Sequence, residues 1–195
     1  IRTPLNGIIG MTYLAQEQEN SPRTADCLVK IDTSSKFLLG LVNDVLDMSK
    51  AESGRMELRP EPYAAAPFFK YLDSVIAPLC EEKNIRFVVD AVPVSGFLPL
   101  LDPLRINQVF FNLLSNAVKF TPEGGTVTYR LREHLTDSGR LAMDTCVCDT
   151  GIGMSEAFQQ VLFEPFSQEN RRDNSETRGT GLGLAIVKKS LDLMG

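Results

Sequence analysis

The 195 residues contain one histidine, His134, and four cysteines, and they carry no strong basic block. Cys27 and Cys80 are isolated. Cys146 and Cys148 would share one face of a strand, but no nearby histidine or second cysteine pair completes a zinc site. Four reduced, mostly buried thiols in a cytosolic protein are therefore expected. No apolar run approaches the roughly 20 residues that span a bilayer, and the start shows no signal-peptide pattern, so no membrane contact is expected of these residues. A net charge of −5, with Arg171 and Arg172 as too small a basic cluster, speaks against nucleic acid as a partner. What is present, 43% hydrophobic and 23% charged residues, suits a globular chain that buries a core in one domain or two small ones.

The chain opens inside an apolar periodic segment and stops on a helical one, so both ends read as cut. Ile1, Leu5, Ile8, Thr12 and Ala15 recur at 4–3 spacing, with Pro4 in the first turn. After the break at Asn20-Ser21-Pro22, Leu28, Ile31, Ser35, Leu38, Val42 and Val45 repeat the pattern to about Glu52. Two such helices form an antiparallel hairpin that cannot bury both seams alone. Pairing with a second copy into a four-helix bundle is the expected solution. Ser53-Gly54-Arg55 ends the hairpin, which places one domain at 1–53 and a second at 54–195.

Met56 to Tyr63 reads as a short strand running into a linker. Phe68 to about Lys83 suits a helix whose rhythm Pro78 breaks, Ile85 to Asp90 a strand, and Pro93 to Leu101 a loop. Thr126 to Glu133 and Leu141 to Cys148 alternate as a hairpin around the turn at Asp137 to Arg140, and His134, near that turn and outside any motif, is expected to be an ordinary strand or turn residue. The order implies an α+β fold, an α/β sandwich with helices on one face of a mixed sheet.

One helix carries most of the information. Asp102 is a good N-cap, Pro103 suits the first turn, and Thr121-Pro-Glu-Gly-Gly125 stops it. Ile106, Val109, Leu113, Ala117 and Phe120 form an apolar stripe, with Asn107, Phe110, Leu114 and Val118 beside it. A third stripe is polar: Arg105, Gln108, Asn112, Asn116 and Lys119. A buried amide without a partner costs about 1–3 kcal/mol. For one asparagine an exposed edge is explanation enough; for the whole stripe a polar or anionic ligand is the more economical one.

Two glycine clusters follow. Asp149-Thr-Gly151-Ile-Gly153 puts a carboxylate at a strand end, where it can accept a hydrogen bond from an exocyclic amine while bare backbone lets a flat ring approach. Gly179-Thr180-Gly181-Leu182-Gly183-Leu184 opens a helix and offers free N–H groups to a phosphate. Leu184, Val187, Leu191 and Met194 are the expected apolar stripe of that helix. No Gly-Lys-Ser/Thr follows, so this is not a Walker A loop. The long connection from Met154 to Arg178, with Phe163-Glu-Pro-Phe166 as an aromatic anchor and a polar later half, fits a lid.

Asn112-x-x-x-Asn116-Ala-x-Lys119-Phe120-Thr121, Asp149-x-Gly151-x-Gly153, Phe163-x-x-Phe166 and Gly179-x-Gly181-x-Gly183-Leu184 resemble, in order and spacing, the N, G1, F and G2 boxes of sensor histidine kinases. Ile1-Arg2-Thr3-Pro4-Leu5-Asn6 resembles the tail of the H box, so the likeness covers essentially the whole chain. The resemblance implies a dimerisation and phosphotransfer hairpin followed by an ATP-binding domain of the Bergerat type, with ATP or ADP and Mg²⁺ as ligands. It makes Asn116 the Mg²⁺ ligand, brings Asn112 and Lys119 to the phosphates, and gives Asp149 the adenine amino group. Gly179 to Leu184 would wrap the phosphates, with Phe120 near the base. A response-regulator receiver domain is the implied partner.

The family's phosphoacceptor histidine and acidic residue precede the Ile-Arg-Thr-Pro-Leu segment and so would fall just before Ile1. These 195 residues are then expected to bind ATP without autophosphorylating. Thr3 matches a position that in many relatives assists dephosphorylation of the regulator. An ATP hydrolase of the same superfold is the alternative. Such enzymes place a glutamate base where this chain has Asn112, and an amide cannot take a proton from water. A catalytically silent dimeric interaction module is the third reading.

Overall fold

The computed structural model describes residues 2–18, 20–92, 98–169 and 180–194. They fall into two compact units, Ile1–Met56 and Glu57–Gly195. The first extends past the last helical turn because the Arg55 N–H donates back to the Lys50 carbonyl at 2.9 Å.

The first unit is a hairpin of α1 (Arg2–Gln16) and α2 (Pro22–Glu52). Ser21 stands just ahead of α2, and its hydroxyl accepts the Thr24 N–H at 3.2 Å as an N-cap does. Leu5, Thr12, Ser35 and Met48 are buried, and the Thr12 hydroxyl donates to the Ile8 carbonyl at 2.8 Å. The rest of the seam is not closed. Ile8, Ile31, Leu38 and Val45 each remain 46–48% exposed.

The second unit starts with less strand than its sequence suggests. Of Met56 to Tyr63 only β1 (Glu61–Pro62) is extended and paired, antiparallel, with β3 (Leu100–Leu101), inside the expected loop. Two prolines in this stretch, Pro60 and Pro62, lack the N–H a longer ladder needs. The next helix does continue through Pro78, but as α3 (Ala65–Tyr71), a π-helical turn (Leu72–Ile76) and α4 (Ala77–Glu82). Proline has no N–H and its ring crowds the carbonyl four residues back; the wider turn ahead of it relieves both.

β2 (Arg86–Val92), β4 (Thr126–Leu135) and β5 (Leu141–Asp149) form a mixed sheet in the order β2-β4-β5. β2 runs parallel to β4 in a register that sets Phe87 opposite Val127, and β5 returns antiparallel with Asp149 opposite Val127. Alternation on β4 sends Val127, Tyr129 and Leu131 to one face, where Phe68, Leu72, Ile76 and Cys80 meet them together with Phe110, Leu114, Ala117 and Val118 of α5 (Pro103–Phe120). At the centre, Phe68, Phe110 and Tyr129 stand 5.1–5.3 Å apart, with Phe110 and Tyr129 edge to face at 88°.

Three expectations need correction. The last helix, α7 (Gly183–Met194), buries Ala185, Ile186, Val187 and Ser190, whereas Leu191 of the expected stripe is 47% exposed. The first turn decides this: Leu182, fully buried, anchors the helix start and rotates the inward face by one residue. The connection after Met154 is not structureless, because Ser155 caps a short helix, α6 (Glu156–Val161), by accepting the Phe158 N–H at 3.2 Å. And of the four thiols only Cys80 is buried. Cys27 lies on an outer face of α2, while Cys146 and Cys148 lie on the sheet face turned away from the core, sulfurs 3.2 Å apart.

Candidate functional site

The site grows from α5. Buried Asp102 caps it twice over: one carboxylate oxygen accepts the Arg105 N–H at 3.1 Å and the other the Arg59 N–H at 2.9 Å, which pins the incoming linker to the helix start. The inner amide, Asn107, accepts the Tyr63 hydroxyl at 2.9 Å. The polar stripe lies half-buried along the flank of the helix. Arg105 donates to Gln108 at 2.8 Å. The side-chain amides of Asn112 and Asn116, by contrast, have no hydrogen-bond partner among the described residues. Lys119 is partly desolvated, which lowers its pKa, and its ammonium lies 5.0 Å from the centre of the Phe120 ring. Phe120 itself is 41% exposed at the end of the stripe expected to be apolar.

Each glycine cluster is fastened to this helix or to the aromatic pair by contacts that a side chain would block. An added Cβ on Gly151 would stand 2.6 Å from the Phe120 carbonyl oxygen, and the Ile152 N–H donates to that same oxygen at 3.3 Å. Asp149 uses one carboxylate oxygen to accept the Gly151 N–H at 2.8 Å, an Asx turn that shapes the loop and leaves the second oxygen for another donor. Gly153 adopts φ +65°, where glycine alone is unstrained.

The second cluster closes in the same manner. Gly181, at φ +72°, has backbone of Phe166 2.7 Å from where its Cβ would be, and its carbonyl accepts the Phe166 N–H at 2.9 Å. Phe166 is held at φ +64°, a conformation that costs a non-glycine residue about 1–3 kcal/mol and marks sites where surroundings enforce it. Its ring is 66% exposed, so the aromatic pair anchors through backbone at Phe166 and through Phe163, over which the Lys188 ammonium stands at 5.8 Å. Thr180 accepts the Leu182 N–H at 3.1 Å, which shapes the turn into α7, and Leu184 lies half-buried in the first turn. A Cβ on Gly183 would meet the Asn112 side-chain oxygen at 3.2 Å.

The fold thus brings Asn112 to Gly183, Phe120 to Gly151 and Phe166 to Gly181. Gly179 lies outside the described residues, as do Arg171, Arg172 and Arg178 and most of the polar half of the lid. Thr3 is in the first turn of α1, and its side chain is not described. His134 stands on β4, its ring nitrogen 3.6 Å from the Asp144 carboxylate. A groove of about 410 Å³ between α4 and α5 is lined by Leu79, Glu82, Lys83, Ser115, Val118 and Lys119. It shares only Lys119 with the cluster, which marks it as a separate concavity. Among the described residues there is no group of three or more His, Cys, Asp or Glu that could hold a metal. No helix of the described residues is long and apolar enough to cross a membrane.

Comparison with known proteins finds relatives for both units. The family of histidine kinase-, DNA gyrase B- and HSP90-like ATPases matches residues 101–195, and the His Kinase A (phospho-acceptor) domain matches residues 1–54. Over its whole length the chain is 39% identical to the sensor histidine kinase GacS of Pseudomonas protegens, of which it covers 21%. It is 34% identical to the autoinducer 2 sensor kinase/phosphatase LuxQ of Vibrio parahaemolyticus, covering 23% of that protein. The chain therefore spans about a fifth of the length of the curated relatives it matches. Among solved structures, full-length ShkA in complex with AMPPNP aligns over 100% of this chain and 39% of its own, at a TM-score of 0.76 and 32% identity. The Acinetobacter baumannii histidine kinase AdeS shares the fold at a TM-score of 0.64 and 20% identity, over 97% of this chain and 82% of its own.

Proposed function

We propose, for a chain that belongs through its two domains to the sensor histidine kinases, that the second unit binds ATP with Mg²⁺ and presents the γ-phosphoryl group to a histidine. The observation that carries this reading is the pair Asn112 and Asn116. Both are half-buried with amides that no described residue satisfies, and Asn112 abuts the bare Gly183. Two partly exposed amides with no partner among the described residues, beside a glycine-lined helix start, suit a ligand that brings oxygen atoms of its own.

In this assignment Asn116 offers its side-chain oxygen to Mg²⁺, and Asn112 and Lys119 approach the phosphates. The free carboxylate oxygen of Asp149 accepts the adenine amino group, with Phe120 near the base. Gly181 and Gly183 put no side chain in the way of the phosphates, and Thr180, Leu182 and Gly179 belong to the same wrap. Gly151, Gly153, Phe163, Phe166 and Leu184 shape the walls. Bound Mg²⁺ neutralises phosphate charge in a transfer that is mostly positioning. Asn112 has no basicity with which to activate water, which favours transfer to an imidazole over hydrolysis. The phosphoryl group would then pass to an aspartate of a receiver domain, with Thr3 the candidate for assisting its later transfer from that aspartate to water. The half-exposed Ile8, Ile31, Leu38 and Val45 fit a homodimer through residues 1–53.

Titration calorimetry with ADP and with a non-hydrolysable ATP analogue tests the site. Binding should require Mg²⁺, and both Asn116→Asp and Asp149→Asn should weaken it. Absence of binding to the wild-type chain would overturn the assignment, and sedimentation as a monomer would overturn the dimer.

A further inference from the structure

Lys83 follows directly on α4, outside every sequence motif described above. Its ammonium donates to three main-chain carbonyls at the end of α5: Val118 at 2.9 Å, Lys119 at 2.8 Å and Thr121 at 2.8 Å. An ammonium carries three protons, and this one commits all of them. The last four carbonyls of a helix have no partner within it, and a cation at that end is favoured by the helix dipole. Thr121 closes the helix alongside, its N–H and its hydroxyl both donating to the Ala117 carbonyl, at 3.0 and 2.7 Å.

The lysine skips one carbonyl in this series, that of Phe120. That oxygen is turned to the first glycine cluster, where it takes the Ile152 N–H and abuts Gly151. Lys83 therefore sorts the carbonyls at the end of α5, holding three on one side and leaving the fourth for the loop that carries Asp149. The same turn of helix bears Asn116 and Lys119.

We infer that Lys83 is a positioning residue for the nucleotide site: by gathering the carbonyls of Val118, Lys119 and Thr121 it fixes the last turn of α5, and with it the junction between Phe120 and Gly151–Ile152. Lys83 touches neither nucleotide nor metal in this role. The inference rests on the ATP-site reading above, so its test includes a readout that needs no nucleotide.

Lys83→Met keeps the aliphatic stem and removes the ammonium. At a temperature well below its melting point, this variant should bind ADP–Mg²⁺ roughly tenfold more weakly or worse, the equivalent of losing one hydrogen bond to a charged group. In the nucleotide-free protein, amide hydrogen exchange at Thr121 and Ile152 should accelerate by a comparable factor. Lys83→Arg should recover only part of both, because a planar guanidinium cannot direct three protons onto converging carbonyls. A merely structural lysine would lower the melting temperature of Lys83→Met while the dissociation constant and the Ile152 exchange rate stayed at wild-type values; that result overturns the inference. If the wild-type chain binds no nucleotide, the ATP reading fails by itself, and unchanged exchange at Ile152 still rejects the role of Lys83. Should Lys83→Met not fold, Lys83→Gln is subjected to the same two measurements.

Discussion

The carbonyl oxygen of Phe120 and the α-carbon of Gly151 meet so closely that a methyl group on the glycine would stand 2.6 Å from that oxygen. Residues 31 apart in sequence thus join the end of α5 to the loop after β5 through backbone alone. Side chains at either position could change without making or breaking this junction, with one exception: the glycine must stay bare.

Gly151→Ala is accordingly expected to destabilise the second unit by about 1–3 kcal/mol, the usual cost of forcing an extra methyl into a packed site. Two obstacles stand at 2.6 Å, an Asp149 carboxylate oxygen and the Phe120 carbonyl, and the second is backbone, which yields little. Gly183→Ala is the informative contrast, since its nearest obstacle at 3.2 Å is the end of the Asn112 side chain, which can swing away. Urea unfolding should show a larger loss for Gly151→Ala. Equal losses would mean the Phe120 contact is softer than its geometry implies.

Asp102→Ala should cost about 1–3 kcal/mol, combining a lost N-cap with a second lost backbone partner at Arg59. Asp102→Asn keeps one acceptor oxygen and should fall between. Chemical denaturation measures both. An alanine variant within a few tenths of wild type would show that solvent replaces the cap.

Asp90 gives the sheet an acid-sensitive contact. Its carboxylate accepts Arg132 at 2.7 Å and Arg130 at 3.2 Å, and the Arg132 hydrogen bond, followed by that from Arg130, holds its pKa below the ordinary value despite some desolvation. A depressed folded-state pKa contributes stability above the unfolded value of about 3.9, lost as pH falls through the folded value. The stability gap between wild type and Asp90→Asn should be widest near neutral pH and close below about pH 4. It should also shrink in high salt, because the pair is partly exposed. A gap that widens on acidification would contradict this pairing.

Much of the architecture is legible in local patterns because local patterns cause it. The Asp102-Pro103 start and the Thr121 stop delimit α5, and the alternation of Val127, Tyr129 and Leu131 selects the core face of β4. Where the reading fails, a tertiary contact outweighs a local preference. The buried face of α7 is set by Leu182, which precedes the helix and stands in phase with Ile186 and Ser190 rather than with the expected Leu184 and Leu191. Cys146 and Cys148 look like small core residues, yet their side of the sheet faces away from the helices. Lys83 left no signal at all, since its three acceptors lie 35–38 residues downstream and are backbone atoms that every residue possesses.

Residue order alone names the candidates for a nucleotide site: two asparagines one turn apart, a carboxylate before a glycine pair, and glycines opening a helix. Those are chemical identities, and identity is written in order along the chain. That Asn112 faces Gly183, that Phe120 turns its carbonyl to Gly151, and that Phe166 is bent onto Gly181 follows from packing in three dimensions. These contacts run through main-chain atoms or through the space where a glycine has no side chain. Backbone is the same at every position, so its partners emerge only when packing of the Phe68, Phe110 and Tyr129 core brings the segments together.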